Sequence, residues 1–119
     1  MYTEIYVNVD LKEDTPKSVI KILESICDGV GIDSKYPERW YCLFFNVSYY
    51  TPHTSVSKLT FNMTSNRYSL LGKGNINNYA GEIEAFFEFL IPWVDGKSGD
   101  FIGYSRYESE KLPTLVLLP

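Results

Sequence analysis

Residues 78–94, NYAGEIEAFFEFLIPWV, decide how the rest of the chain is read. Ile83, Phe86, Phe87, Leu90 and Val94 fall on one face of a helix, while Glu82, Glu84 and Glu88 take the opposite side. The pattern predicts a core helix with a solvated acidic face. Asn78 is the expected cap, and Pro92 tightens or stops the last turn because it lacks the N–H a helix interior needs.

Downstream of that helix, DGKSGD at 95–100 is turn-rich, 101–108 reads as a Tyr-rich strand, SEKLP as a second turn, and 114–118 as a short terminal strand. Upstream, Gly72-Lys73-Gly74 marks a bulge or strand end after a strand at 68–71. Ser65-Asn66-Arg67 reads as a hairpin loop, since Asn tolerates positive φ. Residues 56–64 form the preceding strand, with Leu59, Phe61 and Met63 on one side. Residues 40–51 alternate Tyr41, Leu43, Phe45, Val47 and Tyr49 against a second face that also carries Trp40, Cys42, Phe44 and Tyr50, so a strand covered on both faces is expected there.

At the N-terminal end, 2–11 alternates cleanly: Ile5, Val7, Val9 and Leu11 on one face, Tyr2, Glu4, Tyr6, Asn8 and Asp10 on the other. Thr15 and Pro16 then start a helix whose inward stripe is Val19, Ile22, Leu23 and Ile26, and Gly29 stops it. The order β-α-β-β-β-α-β-β predicts an α+β two-layer sandwich. Its sheet is mainly antiparallel with both helices on one face, ferredoxin-like or related.

The 119 residues are read as one globular domain, 1–119, large enough to bury a core without disulfides or metal. Cys27 and Cys42 lie among apolar neighbours and read as buried thiols of a reducing compartment. MYTEIYVNVDLKED has neither a basic start nor a continuous apolar run, so no signal peptide or membrane anchor is expected, and a cytoplasmic location in a bacterial host follows as the expectation. Fifteen acidic against eleven basic side chains weaken any electrostatic case for nucleic acid. Ten Tyr within an aromatic content of 16% exceed what one small core needs, which points to rings on a contact surface.

Two segments, LKEDTPKSVIKIL at 11–23 and the run from NNYAGEIEAFFEF at 77 through DFIGYSRYESEKLPTLV ending at 116, resemble a family of small uncharacterised proteins of bacteriophages and prophages. The likeness covers about half the chain and rests on the Gly-Glu-Ile-Glu run and on Gly103 to Glu108. It implies a mobile-element origin, in which short accessory proteins bind and disable a host component. It carries over no functional residue.

Catalytic signatures are absent from the sequence: no Gly-x-Ser-x-Gly, Walker loop, His-Glu-x-x-His or Cys-x-x-Cys occurs. His53 is the single histidine and reads as a turn residue. Glu84 and Glu88 could be imagined as paired carboxylates, but they fall on the expected solvent side, and Asp95 to Asp100 lacks the spaced acidic ligands of a calcium loop. No catalytic residue, metal or cofactor is assigned. The arrangement that carries a function is the sheet face away from the helices, for which Tyr2, Tyr6, Trp40, Phe44, Tyr50, Tyr104 and Arg106 are the candidate contact residues. The expected partner is a host protein or a second copy. The alternative is a nucleotide-like small ligand, stacked on the rings and met by Arg67, Lys73 or Arg106.

Overall fold

The computed structural model describes residues 2–44, 57–78 and 80–119. Five strands form one antiparallel sheet: β1 (Thr3–Asp10), β2 (Lys58–Asn62), β3 (Arg67–Ile76), β4 (Phe101–Tyr107) and β5 (Thr114–Leu117), in the spatial order β2-β3-β1-β4-β5. Helices α1 (Lys17–Asp28) and α2 (Glu82–Leu90) join β1 to β2 and β3 to β4. Because β3 lies between β1 and β2, and β1 between β3 and β4, the two β-α-β units interleave. β1 is thereby the central strand, and β5 is an added edge.

The alternation of β1 sets the two faces. Ile5, Val7 and Val9 are buried against Val19, Leu23 and Ile26 of α1 and Ile83, Phe86 and Leu90 of α2 in one apolar core. Leu11, just past β1, bridges to Val94 beyond α2 and is fully buried. The α+β class and the two helices on one face are as the sequence predicts.

Local chemistry explains most helix boundaries. Pro16 occupies the cap position of α1, and its carbonyl accepts from the amides of Val19 and Ile20. Thr15 does not cap; its hydroxyl instead donates to the Lys12 carbonyl at 2.6 Å. Gly29 ends α1 at φ 73°, letting the Val30 amide donate back to the Ser25 carbonyl. α2 starts later than the apolar period suggests, at Glu82, with Gly81 and not the expected Asn78 in the cap position; Asn78 instead reaches the helix from upstream, its Oδ1 accepting from the Ile83 amide at 3.1 Å. Pro92 sits in the 3₁₀ turn Ile91–Trp93 that closes the helix. Asn66 turns the β2–β3 hairpin at φ 57°. Met63, expected to share a strand face with Leu59 and Phe61, lies in that loop because β2 ends at Asn62, and it is 87% exposed.

Two expectations fail for a shared reason. Residues Glu38–Cys42 form a 3₁₀ turn where a strand was expected to begin, and Leu43 and Phe44 follow it across the inner face of β3. Gly72-Lys73-Gly74 does not end a strand: β3 runs unbroken to Ile76. The two observations fit together at the glycines. A Cβ on Gly74 would stand 1.9 Å from the Leu43 carbonyl oxygen, and one on Gly72 2.6 Å from the Phe44 ring. The glycines are the bed on which this segment lies. The remainder of the expected 40–51 strand and His53 lie outside the described residues.

Candidate protein-contact face

The outer face of the sheet is built from the residues opposite the core in the alternation of each strand. Tyr6 is its centre, paired across β3 with Lys73 and across β4 with Tyr104. The Tyr6 and Tyr104 rings stack at 5.4 Å between centroids and 17° between planes, and Phe101 continues the stack at 6.4 Å and 16°. The Lys73 ammonium lies 5.9 Å from the Tyr6 ring centroid, within cation–π range.

Phe101 and Tyr104 are three residues apart, so in a regular strand they would point to opposite faces. A register shift between Phe101 and Gly103 corrects the parity: Ile102 goes into the core and Phe101 comes out beside Tyr6. The bulge assembles the ring stack. Strand β5 extends the same surface, because Leu115 pairs with Tyr104 and Leu117 with Phe101. Phe101, Leu115 and Leu117 are 50%, 57% and 48% exposed.

One end of this patch is polar. Glu4 pairs with Arg106 across β1 and β4, and the Arg106 Nε donates to Glu4 Oε1 at 3.2 Å. Arg106 also donates to the Glu110 carbonyl at 3.1 Å. Burial raises the Tyr104 pKa above that of an ordinary phenol, and the Glu4 carboxylate adds to the shift, so Tyr104 stays neutral and acts as a hydrogen-bonding aromatic.

Of the candidate contact residues, the fold brings Tyr6, Tyr104 and Arg106 together. Tyr2 stands exposed just before β1, on the same side by alternation, and its carbonyl accepts from the Glu108 amide. Tyr50 is outside the described residues. Trp40 and Phe44 are not on this face at all. Trp40 is 1% exposed in the core, where its indole Nε1 donates to the Glu82 carbonyl at 3.1 Å and its ring meets Phe86, Phe89 and Tyr36. Phe44 packs edge-on to Phe86 at 5.3 Å.

Glu82 is a second correction. Instead of facing solvent it is buried, and its carboxylate accepts from the Arg39 guanidinium at 2.8 Å and from the Ala80 amide at 3.1 Å. The same guanidinium donates to the Asn77 carbonyl at 2.6 Å, so the pair ties the 3₁₀ turn to the start of α2. Cys27 and Cys42 are free and half-buried. The 95–100 loop is turn chemistry: the Lys97 amide donates to Asp100 Oδ2 at 2.8 Å, and Gly99 takes φ 91°.

Sequence reasoning missed Phe101, Leu115 and Leu117 as members of the outer face. The signal for the leucines was the terminal LVLLP; for Phe101, only a bulge could have supplied it. No family model, curated protein or solved structure matches this chain. Among the described residues, no helix is long and apolar enough to cross a membrane.

Proposed function

We propose that the chain is a non-enzymatic interaction protein that grips a partner protein through the outer face of its sheet, as a phage accessory protein does when it binds and inhibits a host component. The observation that carries this reading is the contiguous surface of Tyr6, Tyr104, Phe101, Leu115 and Leu117 on a sheet face that no described element covers. Exposed apolar patches rimmed by polar groups mark interaction sites, and aromatic side chains are enriched at their centres.

Charge favours a protein over a polyanion. The net charge is −4, and the two cations beside the ring stack are engaged, Arg106 with Glu4 and Lys73 over Tyr6. The nucleotide-like alternative draws on the same rings, but Tyr6 and Tyr104 are stacked on each other and the surface is an open sheet, not a cleft. Arg67, its third cation, is ion-paired with Asp95.

The test is native mass spectrometry of the wild type and of Phe101→Asp/Leu115→Asp, purified gently from cells that make the chain. A defined protein mass carried by the wild type and lost from a folded variant supports the proposal. A partner retained equally by the variant, a released small molecule, or a homodimer dispersed by the substitutions would each overturn it.

A further inference from the structure

A helix is about 10 Å across with its side chains, and neighbouring strands lie about 4.8 Å apart, so two helices cover about four strands. Among the described residues this sheet has five. α1 packs towards β2, while Phe87 of α2 lies over Gly103 of β4, which leaves β5 without a helix above it. The consequence is a groove of about 870 Å³ on the helix side of the sheet, between α2 and β5. Its exposed apolar surface comes from the half-buried Ile91, Tyr107 and Val116, since Ile83 and Phe87 at its back are already buried in the core, and Glu84, Glu88 and Glu110 stand around it. No Lys, Arg or His is among its lining residues.

Two of these carboxylates are held in place from behind. The Asn78 amide donates to both Glu84 oxygens at 2.9 and 3.1 Å, and Glu110 Oε1 accepts from the Tyr107 amide at 3.1 Å. Glu88 is exposed, one turn along α2 from Glu84. A partly apolar trough bordered by three carboxylates, with no cation among its lining residues, is complementary to one kind of occupant.

We infer that this groove is a second docking site, on the opposite layer from the aromatic face, for an amphipathic helix of a partner protein with an apolar stripe flanked by Lys or Arg. Seated beside α2, such a helix completes the layer over β4 and β5. Its apolar residues cover Ile91, Tyr107 and Val116, and its cations meet Glu84, Glu88 and Glu110.

The probe is a synthetic peptide of roughly 18 residues, long enough to be helical in isolation, with Leu on one face and Lys on the other. Controls are the peptide with Glu in place of Lys and a scrambled sequence of the same composition. Fluorescence anisotropy should show the Lys peptide binding at least about tenfold tighter than either control, with a further loss of about tenfold in Glu88→Lys/Thr114→Arg. Both substituted side chains are exposed, so circular dichroism should be unchanged. Amide shifts should map to α2, β4 and β5, and Phe101→Asp/Leu115→Asp should bind the peptide normally, which separates this site from the outer face. Failure to bind, equal binding of the three peptides, an unaffected charge-reversal variant, or shifts centred on Tyr6 would overturn the inference.

Discussion

Two aromatic stretches of this chain, Trp40 to Phe44 and Phe101 to Tyr104, end on opposite sides of the same sheet. Both are rich in rings, and neither shows a clean apolar and polar alternation. The difference lies in what they meet. The first crosses β3 at Gly72 and Gly74, where missing side chains let a backbone descend onto the sheet, and is sealed by the Trp40 bond to the α2 backbone. The second is itself a strand, and its bulge turns Phe101 outward. Ring content alone does not distinguish a core anchor from a contact surface; glycines opposite and strand parity do.

The widest separation between the two should appear on truncation. Trp40→Ala removes a fully buried indole and leaves a cavity against Phe86 and Phe89, so a loss of about 4 kcal/mol is expected. Phe101→Ala removes a ring half in water already, and its effect should stay within about 0.5 kcal/mol. Urea unfolding of both variants checks this; comparable losses would erase the contrast.

The glycine bed sharpens the same point with a smaller perturbation. Gly74→Ala places a methyl group against the Leu43 carbonyl, a backbone atom that cannot swing aside, and should cost about 3 kcal/mol. Gly31→Ala, with open space around it, is the matched control and should be close to neutral. If Gly74→Ala is as well tolerated as Gly31→Ala, the segment at 43–44 does not lie on β3 as described.

Next in size is the clamp on Glu82. Arg39→Ala leaves a buried carboxylate without its guanidinium, and because Arg39 is itself partly exposed, a loss of about 2 kcal/mol is expected. Double substitution with Glu82→Gln should recover part of that loss, since a neutral amide costs less to bury unpaired. Thermal unfolding of the cycle measures it; strict additivity would mean that the two groups do not act as a pair.

What was legible in the sequence was whatever had a period. The strict alternation of β1 located a strand with one buried face, the three- and four-residue steps located both helices, and Asn66 located a hairpin. The 40–44 run was misread because consecutive rings have no period to separate a strand from a turn. Glu82 was misplaced because a carboxylate beside other carboxylates looks solvated until a distant arginine, Arg39, is found against it. Half of the contact face depended on a bulge and on β5 pairing with β4, both of them properties of register, which composition does not encode.

At neutral pH the smallest effect belongs to a single thiol, whose titration tests burial. Cys27 lies half-buried on α1, and burial, with the Asp28 and Glu24 carboxylates adding to it, pushes its pKa from 9.0 up to about 12. A pKa raised by folding stabilises the folded state fully below the unfolded value. As pH climbs past about 9 the unfolded chain ionises first, and the contribution is lost progressively towards pH 12. Wild type and Cys27→Ala should therefore differ in stability by a constant amount at neutral pH, and the gap should narrow above pH 9 in urea titrations. Thiol labelling should agree, with Cys27 reacting slowly in the folded chain near pH 8 and freely in urea, because the thiolate is the reactive form. A gap independent of pH, together with fast labelling of the folded chain, would mean that Cys27 stands in water, and that the inner side of α1 is less sealed than its packing against β1 implies.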